Sequence, residues 1–183
     1  MSIPNLITLA RILLVPVVVW AIASGQLGIA FALFLAAGVS DAVDGFLAKR
    51  FGMASELGAY LDPLADKVLI VSIYLSLGIV EALPRSLVIL VVSRDILIVG
   101  AVLLAWLVGR PVRIRPHLVS KLNTVAQILL AGLVLASRGF GWNLPKLEIG
   151  AMALVTFLTL LSIGVYVLQW VRHMNGAHPE QQG

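Results

Sequence analysis

The chain has 183 residues, of which 60% are hydrophobic and only 12% are charged. Soluble globular domains are about half apolar and about a quarter charged, so this composition excludes an ordinary soluble domain and predicts a single domain embedded in lipid. The net charge of +4 does not indicate nucleic acid, because basic residues of membrane proteins face anionic headgroups and set the topology. The absence of cysteine excludes disulfides and thiolate metal sites.

Six apolar runs predict an all-α integral membrane protein with six transmembrane helices of roughly 20 residues each. The runs extend over about residues 12–24, 27–40, 64–80, 84–108, 118–137 and 148–171. We expect the second helix to continue to about Lys49 and the third to begin near Ser55. Residues 1–174 then form the membrane domain. The polar residues 175–183 predict a disordered tail.

The positions of the basic residues predict the orientation of these helices. Eight of them fall on one side of the predicted membrane, namely Arg11, Lys49, Arg50, Arg110, Arg113, Arg115, Lys121 and Arg172, and three fall on the other, namely Arg85, Arg138 and Lys146. The positive-inside rule places the larger set in the cytoplasm together with both termini. We expect a bacterial inner membrane. Lys67 and Arg94 lie within predicted spans and do not enter this count.

The first residues carry a polar repeat ahead of the first apolar run. Asn5, Thr8 and Arg11 recur every three residues, and leucines occupy a different stripe. This pattern predicts a short N-terminal helix lying along the membrane interface. The alternative is an ordinary helix start that is capped by Asn5.

Four aspartates form two pairs at helical spacing. Asp41 and Asp44 are three residues apart, and Asp62 and Asp66 are four apart. Both spacings place a pair of side chains on one face of a helix. An Asp near the bilayer centre costs about 2.5–3.5 kcal/mol, so four converging carboxylates need neutralisation. A hard, all-oxygen cluster selects a divalent cation such as Mg²⁺, Mn²⁺ or Ca²⁺.

Small residues accompany both aspartate pairs. Gly45 lies four residues after Asp41, Ala48 lies four after Asp44, and Gly58 precedes the second pair. The little side-chain volume beside the carboxylates indicates that a large ligand approaches the backbone there. A metal-dependent phosphate site explains this arrangement. A proton or ion pathway in a proton-coupled transporter is the alternative from another functional class.

These residues resemble the motif of the CDP-alcohol phosphotransferase family, Asp-x2-Asp-Gly-x2-Ala-Arg-x8-Gly-x3-Asp-x3-Asp. The matching positions here are Asp41, Asp44, Gly45, Ala48, Lys49, Gly58, Asp62 and Asp66. Lys49 stands where the motif has Arg, which weakens one bidentate phosphate contact. The resemblance covers roughly residues 3–172. It implies a six-helix fold, a homodimer, and a transfer of phosphatidyl from CDP-diacylglycerol to an alcohol with release of CMP.

The resemblance also implies roles for individual residues. Two divalent ions, Mg²⁺ or Mn²⁺, would be held by the four motif aspartates, and Asp66 would be the base that deprotonates the acceptor hydroxyl. The donor lipid would be bound by Asp41, Asp44, Gly45, Ala48, Lys49 and Gly58. We add Asn5 and Thr8 to these donor-binding candidates, while contact of Asn5, Thr8 and Arg11 with substrate stays open.

The acceptor is indicated by two further runs. Ser93-Arg94-Asp95 in the fourth predicted span and residues 113–124 before and within the fifth resemble the CMP-forming cardiolipin synthases, whose acceptor is phosphatidylglycerol. The alternative is a phosphatidylglycerophosphate synthase, whose acceptor is glycerol 3-phosphate. Arg94, Arg115 and Lys121 are the predicted acceptor ligands. Adjacent helical residues such as Arg94 and Asp95 point to different faces, so we expect that they do not simply neutralise each other and that Arg94 reaches an acceptor phosphate or one of the four motif aspartates. A structural ion pair with another span is the alternative for Arg94.

Overall fold

The computed structural model describes the backbone of residues 3–51, 56–107 and 118–175, and within them the side chains of residues 7–43, 64–100 and 118–168. Six α-helices account for nearly all of the described backbone: α1 Ile3–Ala23, α2 Leu27–Phe51, α3 Glu56–Ile79, α4 Arg85–Leu107, α5 Leu118–Gly139 and α6 Pro145–Asn175. They coincide with the six predicted helices, including the long second helix and the early start of the third. The predicted tail lies outside the described residues beyond Asn175.

Three short turns close one end of the helix bundle, and each contains a left-handed residue and a backbone hydrogen bond that spans five residues. After α1, Gln26 N–H donates to Ala21 C=O at 2.9 Å and Gly25 N–H donates to Ile22 C=O at 3.0 Å. This pattern is a Schellman cap, which requires a left-handed residue, and Gly25 supplies it with φ +73°. The turn after α3 repeats both bonds around Glu81, at φ +57°. The turn after α5 repeats the longer bond, from Trp142 N–H to Ser137 C=O at 2.7 Å, around Gly141 at φ +69°.

The N-terminal polar residues belong to α1 itself. The helix runs without interruption from Ile3 to Ala23, so the prediction of a separate, short interfacial helix is wrong. Thr8 and Arg11 are buried, with 1% and 2% of their surfaces exposed. Thr8 and Arg11 therefore face the interior of the bundle rather than the membrane surface, and the charge of Arg11 meets carboxylates on neighbouring helices.

Apolar packing holds the helices together toward the end with the three turns. Helix α1 packs against α2 and α3, α5 packs against α2 and α6, and α4 packs against α3 and α6. The buried side chains at these contacts include Val18, Ile22, Ile73, Leu77, Leu130 and Val134. Many other large apolar side chains, such as Leu13, Leu97 and Leu129, are more than half exposed. Exposed apolar surface of this extent is typical of lipid-facing helices.

Two helical segments, Leu118–Gly139 and Pro145–Leu168, are long and apolar enough to cross a membrane among the residues whose side chains are described. The apolar stretches Ile7–Ala23 and Leu27–Val43 are shorter. The architecture is thus an all-α bundle, and the six-span topology stays a prediction.

Helices α2 and α5 approach each other through backbone atoms at two glycines. A Cβ added to Gly139 would lie 2.6 Å from the Gly28 nitrogen and 2.7 Å from its Cα atom. These neighbours are backbone and cannot rotate away. A Cβ added to Gly28 would lie no nearer than 3.5 Å to Gly139, at its carbonyl oxygen, which is ordinary contact. The position that requires glycine is therefore Gly139.

We expect Gly139→Ala to lower the free energy of unfolding by about 1–3 kcal/mol, because the added methyl group forces α2 and α5 apart. Thermal unfolding in detergent measures the loss. The matched controls are Gly28→Ala and Gly150→Ala; the Cβ of the latter would have no heavy atom within 4 Å. Equal melting temperatures for Gly139→Ala and the two controls would contradict the close approach.

Candidate active site

One buried arginine joins the first three helices at the end of the bundle opposite the three turns. Arg11 of α1 donates through Nη1 to Oδ1 of Asp66 on α3 at 2.6 Å. The same nitrogen lies 2.7 Å from Oδ1 of Asp41 on α2. Only 1% of the Arg11 side chain is exposed. Charge-assisted hydrogen bonds of this length are strong, so the guanidinium fixes the positions of two motif carboxylates.

The two carboxylates are accessible although their cation is buried. The side chains of Asp41 and Asp66 are 42% and 48% exposed. Arg11 therefore lies behind them in the bundle, and their open sides form a negatively charged surface. A ligand can reach this surface without displacing any helix.

The other two aspartates of the motif are positioned by the helix backbone. Asp44 lies on α2 three residues after Asp41, and Asp62 lies on α3 four residues before Asp66. Both helices are continuous through these positions, which confirms the helical spacing on which the same-face prediction rests. The side chains of Asp44 and Asp62 lie outside the described residues. For the predicted donor ligands Asn5, Gly45, Ala48, Lys49 and Gly58, only the helical backbone is described.

The described carboxylates fit the predicted divalent cation. Asp41 and Asp66 offer oxygen ligands only, on two helices, with solvent access, and Mg²⁺ and Mn²⁺ prefer such ligands. No group of three or more acidic, histidine or cysteine side chains occurs among the described residues. The four-carboxylate metal site thus stays a prediction, with two of its members brought together on one nitrogen.

A second charged cluster lies beside the first, between α3 and α4. Lys67 Nζ donates to Oδ2 of Asp95 at 2.9 Å. Arg94 Nη1 donates to the other oxygen of Asp95 at 2.6 Å. We call these three residues the Lys67–Asp95–Arg94 triad. Because Lys67 follows Asp66 directly on α3, the two clusters adjoin.

The expectation that Arg94 and Asp95 cannot pair is wrong. Their Cβ atoms do diverge on α4, but the long arginine side chain turns its guanidinium back onto the neighbouring carboxylate. Both side chains are only 2% exposed, and burial makes an unpaired charge costly. Arg94 also donates to Ser162 of α6 and, at 2.5 Å, to Ser120 of α5. It thus joins three helices.

The remaining predicted acceptor ligands lie elsewhere. Lys121 is exposed on the first turn of α5, on the same stripe as Leu118, Leu122 and Val125. Its neighbour Ser120 turns inward to Arg94. Arg115 lies outside the described residues. The structure therefore brings together, at Arg94 and Ser120, the two runs that resemble the cardiolipin synthases.

A buried polar stripe extends from Ser120 along α5. Asn123 and Gln127 follow at intervals of three and four residues and are fully buried. Asn123 Oδ1 accepts from Thr159 of α6 at 3.0 Å, and the backbone carbonyl of Gln127 accepts from Tyr74 of α3 at 3.0 Å. Sequence reasoning missed this stripe, although the spacing of its polar residues within an apolar helix was the available signal.

Arg11, Lys67 and Asp95 were also missed as site residues. The sequence places Arg11 on the polar N-terminal stripe and in the cytoplasmic charge, and it leaves contact with substrate open. Lys67 was set aside because it lies within a predicted span. An ionisable residue within a membrane segment is itself a functional signal, and this signal marks Lys67 as a candidate site residue.

Residues 1–173 match the sequence model of a family described as CDP-alcohol phosphatidyltransferase. The chain is 34% identical over 157 residues to the human protein named "Cardiolipin synthase (CMP-forming)", covering 77% of this chain and 52% of the relative. It is 36% identical over 159 residues to a rice protein named "CDP-diacylglycerol--glycerol-3-phosphate 3-phosphatidyltransferase 1, chloroplastic", covering 77% and 48%.

A third relative matches along nearly its whole length. The Mycobacterium tuberculosis protein named "Probable phosphatidylglycerophosphate synthase" is 33% identical over 182 residues, covering 96% of this chain and 84% of the relative. By contrast, the chain spans only about half the length of the rat and human proteins, 52% of each.

We expect Arg11→Gln to destabilise the protein without divalent cation by about 1–3 kcal/mol, because Asp41 and Asp66 then repel each other with only partial solvent screening. Added Mg²⁺ should raise the melting temperature more in this variant than in the wild type, since the cation replaces the lost positive charge. The control is Arg138→Gln, an exposed cation of α5 at the other end. A Mg²⁺-dependent rise in melting temperature that is no larger in Arg11→Gln than in the wild type would contradict the idea that Arg11 and the cation neutralise the same two carboxylates.

Proposed function

The chain belongs to the CDP-alcohol phosphatidyltransferase family, and on that premise we propose that it transfers phosphatidyl from CDP-diacylglycerol to phosphatidylglycerol, forming cardiolipin and CMP. The observation that carries the proposal is the pair of solvent-open carboxylates, Asp41 and Asp66, on one buried guanidinium. Phosphoryl transfer depends chiefly on positioning and on neutralising phosphate charge. A fixed carboxylate pair that faces solvent suits this chemistry because it can hold a divalent cation against the phosphate.

In the proposed reaction the acceptor hydroxyl attacks the β-phosphorus of the donor. A new bond forms between the acceptor oxygen and that phosphorus, and the bond from the phosphorus to the bridging oxygen breaks. CMP leaves with the bridging oxygen and its electron pair. Asp66 takes the hydroxyl proton. Arg11 keeps the Asp66 carboxylate in place through the 2.6 Å hydrogen bond.

We assign the metal to the four motif carboxylates. Asp41, Asp44, Asp62 and Asp66 would hold one or two Mg²⁺ or Mn²⁺ ions, which when bound supply positive charge for the phosphate oxygens. Donor binding would fall to the neighbouring Gly45, Ala48, Lys49 and Gly58 and, on α1, to Asn5 and Thr8. Thr8 is buried, with 1% of its surface exposed, which supports an indirect contribution of this residue through the position of α1.

The proposal places this site at the cytoplasmic face of a membrane. The family is membrane-bound, and the two long apolar segments of α5 and α6 agree with it. We propose that all six helices span a bacterial inner membrane and that two copies form a homodimer. The basic residues that cluster toward the carboxylate end support the cytoplasmic orientation.

The choice of acceptor rests on the two runs that resemble the cardiolipin synthases, residues 93–95 and 113–124. Relatives named for cardiolipin synthesis and for glycerol 3-phosphate transfer match at similar identity, 34% and 36%, so identity does not separate them. Contact between the two runs, at 2.5 Å from Arg94 to Ser120, supports their acting as one unit. Glycerol 3-phosphate is the second candidate. It is favoured by the mycobacterial relative, whose match covers most of both chains. Family membership argues against the transporter alternative.

We expect the purified wild-type protein to convert CDP-diacylglycerol and phosphatidylglycerol to cardiolipin and CMP in the presence of Mg²⁺. Mass spectrometry of the lipids and a CMP assay measure both products. Asp66→Asn should lower CMP release by about 10²–10⁴-fold, because the hydroxyl then lacks its base. The control Glu81→Gln alters an exposed carboxylate at the other end of the bundle.

The outcomes separate the acceptor from the reaction class. Formation of phosphatidylglycerophosphate from glycerol 3-phosphate, with no cardiolipin, would contradict the acceptor and retain the reaction class. An Asp66→Asn variant as active as the Glu81→Gln control would contradict the catalytic role of the carboxylate pair.

A further inference from the structure

The Lys67–Asp95–Arg94 triad carries more positive than negative charge. Asp95 contributes one carboxylate, and each of its oxygens is occupied by a different cation, at 2.9 Å from Lys67 and 2.6 Å from Arg94. The other contacts of Arg94 are with the neutral hydroxyls of Ser120 and Ser162. Within residues 7–43, 64–100 and 118–168, Asp95 is the carboxylate that pairs with either cation.

The surplus charge is accessible at one member of the triad only. The side chains of Arg94 and Asp95 are 2% exposed, whereas that of Lys67 is 25% exposed. Removing a charge from water is costly unless an opposite charge compensates it. An ammonium group has three donors, and Asp95 is the partner of one. Lys67 is therefore suited to bind an anion that arrives from outside the bundle.

The position of Lys67 relates this anion to the reaction centre. Asp66 and Lys67 are consecutive on α3, with Cα atoms about 3.8 Å apart. Asp66 is directed toward Arg11 of α1, and Lys67 is directed toward Asp95 of α4. An anionic group on Lys67 thus lies next to the proposed base without sharing the Asp66 carboxylate. Phosphatidylglycerol and glycerol 3-phosphate both carry a phosphate on the same glycerol as a free hydroxyl.

We propose that Lys67 binds the phosphate of the acceptor's glycerol phosphate, and that Asp95 and Arg94 are positioning residues that hold the ammonium group beside Asp66. The inference rests on the proposed transferase function and changes its acceptor site: Arg94 acts through Asp95 and does not contact the acceptor. The shared ligand is a glycerol phosphate, either free or as a lipid headgroup.

The test compares Lys67→Gln, Lys67→Arg and the exposed control Lys146→Gln on α6 with the wild type, as full-length protein. Glycerol 3-phosphate in solution and phosphatidylglycerol in nanodiscs are offered separately with CDP-diacylglycerol. Lys67→Gln should raise the KM of the productive acceptor about 10- to 100-fold, because one charged hydrogen bond is lost. The donor KM should stay within about twofold. Lys67→Arg should retain most acceptor affinity, which loss of packing alone does not predict.

Binding without turnover separates this inference from the proposed function. Thermal shift with glycerol 3-phosphate, and with phosphatidylglycerol nanodiscs, is measured on the same variants in the absence of donor. A wild type that releases no CMP refutes the transferase proposal, while a shift that Lys67→Gln loses still supports the anion site. Equal acceptor KM, or equal shifts, in Lys67→Gln and Lys146→Gln would overturn the inference, as would a wild type that binds neither probe.

Discussion

The buried guanidinium of Arg11 is the contact on which the site depends. Two carboxylate oxygens that share one nitrogen lie within roughly 5 Å of each other, where like charges repel by about 3 kcal/mol at an effective dielectric constant of 20, less for exposed groups. Arg11 offsets this repulsion from the protein side and leaves the solvent side open. Arg11 also connects α1, α2 and α3. The geometry of the site therefore depends on the packing of these three helices.

Two consecutive residues of α3 contact different neighbouring helices. Asp66 is directed toward α1 and the carboxylate pair, and Lys67 is directed toward α4 and the buried Asp95. In the proposed function, the first side supplies the base and the cation ligands, and the second supplies a site for an anionic acceptor. Arg94 ties the second side to α5 and α6 through Ser120 and Ser162. Substitutions in those distant helices can therefore alter acceptor use without touching the carboxylates.

The sequence was sufficient to predict the six helices, because apolar runs and turn residues mark them directly. Spacing along a helix determines which side chains share a face, and from it the sequence predicted the two aspartate pairs. One member of each pair, Asp41 and Asp66, meets on Arg11, while the same-face pairing itself stays a prediction. Spacing does not determine which neighbouring helix that face meets. For this reason the pattern around Arg11 predicts an interfacial helix as readily as a buried stripe. Arg94 was expected to avoid Asp95 because helical geometry constrains Cβ directions but not the end of a long side chain.

In the proposed function, Asp41 and Asp66 form a cation site in which Arg11 is the resident positive charge. Anomalous diffraction from crystals of the wild-type protein grown with Mn²⁺ tests it most directly. We expect an anomalous peak within coordination distance of carboxylate oxygens of both Asp41 and Asp66. At least one of the two hydrogen bonds from Arg11 Nη1 should then be longer than in the metal-free protein. A map without a peak at these residues at saturating Mn²⁺, with both carboxylates still on Arg11 Nη1, would contradict it.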